Sequence, residues 1–294
     1  MLSALFLQIV EVTLPVFGIA LLGYVYGRIC GSDILSVHRI NMQLFVPALL
    51  FYVLSEKIPD SQEWQTIAWG ALTIIIVSGV VSLPLTRLLG MRPSVLLPSM
   101  MFNNAGNLGL PLAALAFGEQ LLPLAVVAFV VSTSLHFSLG IWLVSGRVHL
   151  TELLRNPVFL ATLAGITAYA FDWHTPSILM PGLVMLSEVA IPLMLVSLGI
   201  RLIHIEPRYW QAGLSGALLC PLSGLAGAWL AIVWLQPNEQ MRDILLLFSI
   251  LPPAVMNYML AESYQQSPHE VAAMVAFGNL ASLLVIPIAL AFIL

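Results

Sequence analysis

The chain alternates between long runs of apolar residues and short polar connections. Each run is roughly 17–25 residues long, which is the length that a helix needs to cross the hydrocarbon core of a bilayer. The pattern predicts ten membrane-spanning helices, at about residues 5–27, 38–55, 66–86, 95–117, 121–144, 157–172, 179–201, 210–234, 243–263 and 270–293. The connections leave no room for a soluble domain, so the predicted fold class is an all-α integral membrane protein.

Composition supports this prediction and excludes several kinds of partner. Of the 294 residues, 60% are hydrophobic and only 8% are charged, with a mean hydropathy of +0.99, whereas a soluble domain has about 25% charged residues. The net charge of −4 gives no basis for nucleic-acid binding. Cys30 and Cys220 lie in different apolar runs without metal-ligand spacing. We therefore expect free thiols, no metal and no cofactor, with the lipid bilayer as the surroundings.

The basic residues predict the orientation. If the N-terminus lies outside, eight of the ten Lys and Arg residues fall on the cytoplasmic side and two outside, as the positive-inside rule requires. The eight are Arg28, Arg39, Arg87, Arg92, Arg147, Arg155, Arg201 and Arg208, and the two are Lys57 and Arg242. A missed span would reverse the side of every later loop, so the bias supports both the span count and an outside location for both termini.

The two halves of the chain share short motifs. Pro15-Val16-Phe17 in the first span recurs as Pro157-Val158-Phe159 in the sixth, and Pro47 in the second span corresponds to Pro192 in the seventh. Ten spans then divide into two repeats of five, residues 1–146 and 147–294. Because five is odd, the second repeat enters the membrane from the opposite side. The sequence predicts a 5+5 inverted-topology repeat, which is typical of secondary transporters.

Two spans contain breaks at matching positions of the repeats. The fourth span holds Asn103-Asn104-Ala105-Gly106-Asn107-Leu108-Gly109-Leu110-Pro111, and the ninth holds Leu251-Pro252-Pro253. Proline removes a backbone donor and constrains the residue before it, so each break interrupts its helix. Broken backbone within a membrane is tolerated only where it faces protein or a watery cavity. We expect broken fourth and ninth helices that cross near the middle of the membrane.

This crossing is the predicted binding site. Each new half-helix begins with free N–H groups and about half a positive charge, which favours an anion. The predicted substrate-binding residues are Asn104, Asn107, Gly109, Pro111, Pro252, Pro253 and Asn257. The three asparagines are the amide donors, and the glycine and prolines shape the breaks. The alternative for the amides is that they only satisfy carbonyls freed by the broken helices.

Four further polar residues within the spans are candidates for coupling transport to an ion. Ionisable groups in hydrocarbon are costly and often functional. Glu11, His136 and Glu188 lie in the first, fifth and seventh spans, and Asn279 lies in the tenth. His136 is the natural proton-coupling candidate because histidine titrates near neutral pH. The alternative is that each side chain is only paired within the protein or lies near the membrane surface. The sequence leaves both proton and sodium coupling open.

The chain resembles the auxin efflux carrier family, within the wider group that includes bile acid sodium symporters. The matching phrases are Asn104 with Gly109-Leu110-Pro111, Leu251-Pro252 with Ala261-Glu262-Ser263-Tyr264, Asn41 with Pro47-Ala48-Leu49-Leu50-Phe51, Arg155-Asn156-Pro157, and Leu198-Gly199. The resemblance implies a scaffold made of spans 1, 2, 6 and 7 and a mobile transport part made of spans 3–5 and 8–10. It also implies a carboxylate substrate held by Asn104 and a homodimer formed through the scaffold.

Two departures bear on the substrate. Plant members have a long central loop, whereas here only residues 145–156 separate the halves. Plant members also place an amide two residues after the Asn-Pro of the sixth span, where this chain has Val158. The chain is more similar to the bacterial members, which are described as carriers of malonate, malate or similar acids.

The sequence therefore predicts a secondary-active carrier that moves a small organic acid anion by alternating access. The substrate would be a malonate-like, malate-like or auxin-like carboxylate. The predicted location is the inner membrane of a bacterium. Two alternatives remain open, a sodium-coupled symporter of the bile acid type and a carboxylate sensor that does not transport. No catalytic spacing is present, so we do not expect an enzyme.

Overall fold

A computed structural model describes residues 2–30, 34–58, 61–147, 154–203 and 207–294. These residues are helical, apart from connections and one isolated pair of extended residues. The α-helices are α1 (Leu2–Cys30), α2 (Ile34–Ile40), α3 (Val46–Glu56), α4 (Ser61–Leu88), α5 (Pro93–Met101), α6 (Leu110–Leu135), α7 (Ile141–Ser145), α8 (Pro157–Ala170), α9 (Met180–Arg201), α10 (Trp210–Leu235), α11 (Glu239–Ser249), α12 (Val255–Ser263) and α13 (Pro268–Ile293). Three π-helical turns interrupt the series, π1 (Asn41–Phe45), π2 (Ala105–Gly109) and π3 (His136–Gly140).

Within the described residues, seven helical stretches are long and apolar enough to cross a membrane. The longest, Ala105–Ser145, has 41 residues and would be about 60 Å long if straight, twice the hydrocarbon thickness. It bends at Gly118, whose φ of 75° and ψ of −179° are not helical. The expectation of a helical multi-pass membrane protein is confirmed, whereas the ten-span 5+5 repeat stays a prediction.

The fourth predicted span is interrupted where the sequence places its break. Helix α5 ends at Met101, and helical geometry resumes at π2 and continues into α6. Pro111 lies in the first turn of α6, but that turn follows π2 without a gap. The free start of this half-helix is therefore at Ala105, several residues before Pro111.

The ninth predicted span is divided by its two prolines. Helix α11 ends at Ser249 and α12 begins at Val255. Pro252 and Pro253 lie between the two helices in extended backbone. Since proline has no N–H and restricts the preceding residue, this stretch cannot continue the helix.

Small residues let helices approach closely around these breaks. Gly213 and Gly216 of α10 lie against Phe277 and Met274 of α13, and Gly224 lies against the carbonyl group of Ser249 at the end of α11. A Cβ atom at any of these glycines would collide with its neighbour. The small-residue stretch of α10 therefore serves packing within the chain, which is a common use of glycine in membrane helices.

The outer surface of the helices is strongly apolar. Leu88 and Phe292 are 79% and 86% exposed. Large exposed hydrophobic patches on a soluble monomer would promote association, but they fit a protein surrounded by lipid tails. Many polar side chains of the spans are buried instead, among them Asn104, Asn107, Asn257 and Asn279 around the two breaks.

Candidate functional site at the crossing of two broken helices

The two breaks lie side by side and are joined through their backbones. Asn103 and Pro253 form an isolated antiparallel bridge. The amide of Asn104 donates to the carbonyl of Pro252 at 2.7 Å, and the amide of Ala254 donates to the carbonyl of Phe102 at 2.9 Å. Because backbone groups in hydrocarbon need internal partners, each break supplies the hydrogen bonds that the other lacks. The broken helices thus meet inside the protein.

Several buried amides complete this arrangement. Asn257 donates from Nδ2 to the carbonyl of Phe102 at 2.8 Å, and Asn103 donates to the carbonyl of Phe248. Asn104 donates from Nδ2 to Oδ1 of Asn279 at 3.0 Å. Asn279 donates to the carbonyls of Val275 at 2.7 Å and Pro253 at 3.4 Å. These side chains satisfy carbonyls that the breaks leave free, so they have at least a structural role.

A cavity of about 210 Å³ lies against the crossing. Its lining combines amide, hydroxyl and imidazole groups with apolar and aromatic side chains. The lining residues are His38, Met42, Gln43, Asn103, Asn104, Ala105, Gly106, Asn107, Phe129, Ser132, Thr133, His136, Phe137, Asn156, Pro157, Val158, Ala254, Val255 and Met256. Helices on both sides of the predicted division between scaffold and transport part contribute to this set.

Asn107 differs from the other amides of the crossing. It is 5% exposed and lines the cavity, and its Oδ1, like that of Asn257, has no hydrogen-bond partner within the described residues. Its side chain holds no freed carbonyl. A buried polar group without a protein partner is unusual, and a polar molecule in the cavity would supply that partner. Asn107 is therefore the amide best placed to contact a bound molecule.

Both half-helices present free N–H groups to the cavity. Gly106 and Asn107 at the start of π2, and Val255 and Met256 at the start of α12, donate no backbone hydrogen bond within the described residues. All four residues line the cavity. Free N–H groups and the partial positive charge of a helix start attract anions. The cavity is therefore suited to a carboxylate.

All three π-helical turns border this cavity. Met42 and Gln43 come from π1, Asn107 from π2, and His136 and Phe137 from π3. A π-helical turn inserts one extra residue into a helix and occurs frequently at functional sites. Three such turns around one cavity make it the candidate functional site.

The glycine and prolines predicted for the site lie at the crossing but outside the cavity lining. Gly109, Pro111, Pro252 and Pro253 are buried at the crossing but do not line the cavity. Gly109 leaves room for Leu251, whose Cδ1 would be 2.8 Å from a Cβ at that position. The backbone of Pro252 and Pro253 joins the breaks. These four residues shape the crossing.

The four candidates for ion coupling lie in two different places, two of them at the crossing and two on the exposed surface of helices. His136 and Asn279 are buried at the crossing, with His136 in the cavity lining and Asn279 behind it. Glu11 and Glu188 have exposed side chains on α1 and α9 and do not line the cavity. Glu188 borders a second, open cavity with Glu56 and His174. The structure does not bring the two glutamates to the crossing.

Sequence reasoning missed several lining residues from the predicted scaffold. His38 is buried with no partner for Nδ1 in the described part of the chain, and Gln43 and Asn156 also face the cavity. Asn156 caps α8 by accepting from the amide of Val158 at 2.9 Å. His38 lies near the end of an apolar run, where a polar residue is ordinary. The sequence offered one signal, an isolated histidine. Its position beside the cavity depends on packing and could not be read from the sequence.

The comparisons with known proteins agree with this architecture. The sequence model of the family described as "Membrane transport protein" matches residues 141–290, about half of the chain. The chain belongs to this family, the auxin efflux carriers. It is also 24% identical over 298 residues to an uncharacterized transporter of Methanocaldococcus jannaschii, an alignment that covers 94% of this chain and 96% of the relative. This auxin efflux carrier family member is thus a multi-pass membrane protein of a transport family, as the sequence motifs predicted.

Proposed function

We propose that this member of the auxin efflux carrier family is a secondary-active carrier for a small organic acid anion. The observation that carries the proposal is one cavity lined by Asn107 and by the free starts of two half-helices. The backbone N–H groups of the half-helix starts and Nδ2 of Asn107 are hydrogen-bond donors, and no Asp or Glu is among the described residues that line the cavity. A carboxylate supplies the acceptors that such donors lack.

The size and lining of the cavity support a small acid with an apolar part. Phe129, Phe137 and Val158 line it together with the polar groups at the crossing. Ligand sites combine an apolar wall with a few placed polar groups in this manner. The carboxylate lies at the half-helix starts and the remainder of the acid lies against the aromatic side chains. Auxin-like acids have such an apolar part, whereas malonate and malate would direct their second carboxylate to the polar side chains of the lining.

We further propose that transport follows an alternating-access mechanism. Spans 1, 2, 6 and 7 form a scaffold, and spans 3–5 and 8–10 form the part that moves, in two inverted repeats of residues 1–146 and 147–294. The location of the cavity between these parts supports the division, because His38 and Asn156 come from the scaffold and Asn107 and His136 from the moving part. Rocking one part against the other would expose the site to each side in turn.

The remaining features of the proposal rest on the charge bias of the loops and on the resemblance to the family. The protein lies in the inner membrane of a bacterium with both termini outside, and two copies associate through their scaffolds. His38 and Asn156 lie at the starts of the second and sixth spans. The charge bias assigns both of these starts to the cytoplasmic side, so the cavity belongs to an inward-facing state. The protein carries its substrate without chemical change, and the proposal involves no enzymatic reaction.

A counterflow assay tests the proposed function. The purified protein is reconstituted into vesicles loaded with unlabelled malonate, malate or indole-3-acetate, and uptake of the labelled acid is followed with and without sodium. We expect the labelled acid to accumulate only in vesicles that contain an unlabelled carboxylate. Binding without counterflow would indicate a sensor, and uptake that occurs only with sodium would indicate a sodium-coupled symporter.

Asn107→Ala is the variant that tests the site. Its amide has no partner in the described residues, so its removal should weaken carboxylate binding by tenfold or more while leaving the thermal midpoint little changed. Fluorescence or calorimetric titration of the purified variant measures the binding. Binding equal to that of the wild type would place the carboxylate elsewhere.

A further inference from the structure

The cavity contains two titratable side chains among the described residues that line it, His38 and His136. They approach it from the two parts that the proposed function moves against each other. No Lys, Arg, Asp or Glu is in this lining. A bound carboxylate would therefore contact no permanent cation among these lining residues, and the partial charges of the half-helices would be its main balance.

His136 is held as a buried ring at the first position of π3. It stacks on Phe102 with the ring centroids 4.3 Å apart and an angle of 6° between the planes. The side chain is 6% exposed, and Nε2 has no hydrogen-bond partner within the described residues. Asn257 lies beside the imidazole, and its Oδ1 also lacks a partner there. The two side chains approach each other without forming a hydrogen bond of ordinary geometry.

The unpartnered atoms fit a protonated imidazole. An imidazolium has two N–H donors and no acceptor, whereas a neutral imidazole has one of each. A protonated ring would have one N–H to donate to Oδ1 of Asn257 and a second to donate to a carboxylate in the cavity. Phe102, whose carbonyl accepts from Asn257 and Ala254, fixes the ring next to the crossing.

We propose that His136 takes up one proton from solution when a carboxylate enters the cavity, so that the carrier moves the anion and the proton together. This inference rests on the proposed function. A carboxylate next to an imidazole stabilises the imidazolium, and by linkage the proton strengthens carboxylate binding to the same extent. When the cavity opens to the other side, the acid and the proton leave together and His136 returns to its neutral form.

In the described part of the chain, the other charged groups near π3 are already engaged or distant. On α12, Tyr258 donates to Glu262 at 2.7 Å, and Arg201 of α9 contacts Sδ of Met259 at 3.5 Å. Glu119 of α6 is an exposed partner of Lys57 at 3.6 Å, while α5 and α7 contain no titratable side chain. Arg201 is also a neighbour of His38, and this permanent cation opposes a second positive charge there. The proton is therefore assigned to His136.

Proton coupling changes the driving force for transport. Moving a net charge across a membrane potential requires or releases free energy. A monocarboxylate that travels with one proton carries no net charge, so its movement follows the proton and substrate gradients and produces no current.

The test is calorimetric titration of the purified wild-type protein with indole-3-acetate and, separately, with malonate. Indole-3-acetate is the main probe because a monocarboxylate stays ionised between about pH 6 and pH 8, where histidine titrates. Titrations in two buffers of different ionisation enthalpy measure the protons taken up. We expect uptake approaching one proton, and a dissociation constant that rises by up to about tenfold per pH unit.

Three variants assign the proton. His136→Gln keeps a hydrogen-bonding side chain that cannot be charged, so binding should persist while proton uptake and pH dependence disappear. His174→Gln, at an exposed position outside the cavity, should behave as the wild type. If His38→Gln removes the proton uptake and His136→Gln does not, the assignment to His136 is wrong.

The wild-type titration keeps the proposal testable even if a variant fails to fold. Carboxylate binding with no proton uptake would overturn proton coupling and leave the proposed carrier intact. If neither wild-type titration nor counterflow detects any carboxylate, the proposed function and this inference fall together.

Discussion

At the residue scale, the amides of the crossing separate into two groups by their partners. Asn103, Asn257 and Asn279 donate to carbonyls left free by the broken helices, and Asn104 is tied to Asn279. Asn107 has no such partner in the described residues. One residue type therefore both stabilises the breaks and offers a ligand contact, and only the partners distinguish the two roles.

Asn279→Ala tests the structural role. The substitution leaves Nδ2 of Asn104 and the carbonyl of Pro253 without their partner, and an unsatisfied buried polar group costs about 1–3 kcal/mol. We expect a thermal midpoint lower by about 2–4 °C, measured by unfolding of the purified protein in detergent. Asn107→Ala is the matched control and should lower it by less. A larger loss in the control would reverse the two roles.

At the element scale, helices end or bend where particular residues require it. The bend within the helical stretch Ala105–Ser145 depends on Gly118, which has φ of 75° and ψ of −179°. This backbone region is essentially restricted to glycine, because a Cβ atom would collide with the backbone. The reversal that brings π3 back toward π2 and the crossing therefore depends on one residue outside the cavity.

Gly118→Ala should strain this bend by about 1–3 kcal/mol. No other atom lies within 4 Å of the new Cβ, so any effect comes from the backbone. We expect a lower thermal midpoint and a lower yield of folded protein, measured by unfolding and by gel filtration. Gly182→Ala is the control, because its Cβ also meets no atom within 4 Å but its backbone is helical. Equal stability of both variants would contradict the account.

At the scale of the whole molecule, the cavity lies between segments far apart in the chain. Gln43 approaches it from one side and Asn107 and Met256 from the other. The proposed orientation opens this cavity to the cytoplasm in the present conformation, whereas the connection between α8 and α9 lies on the opposite side. Ser177 is an exposed residue of that connection.

Cysteine labelling tests this orientation. In a background in which the exposed Cys30 is replaced by serine and the buried Cys220 is kept, Gln43→Cys should react with an impermeant thiol reagent in inside-out vesicles. Ser177→Cys should react in intact cells, and a bound carboxylate should slow only the reaction at position 43. The opposite pattern of labelling would show that the termini lie in the cytoplasm.

Much of this architecture could be read from local sequence. The apolar runs predicted the membrane helices, and Pro252, Pro253 and the Asn103–Pro111 segment marked the breaks. Asn104, Asn107 and Asn257 all lie at the crossing, as predicted. Pro253 does not lie in the first turn of the second half-helix, because it belongs to the bridge and α12 begins at Val255. Proline shows that a helix is interrupted, but the neighbouring backbone decides where it resumes.

The sequence by itself determined where the chain enters lipid and where it cannot stay helical, because hydrophobic length and missing backbone donors are properties of neighbouring residues. Only the tertiary structure decided which amide is left free, which glutamates lie away from the site, and that His38 and His136 share one cavity. These outcomes depend on partners supplied by distant segments, and a buried polar side chain receives its role from whichever partner packing brings to it.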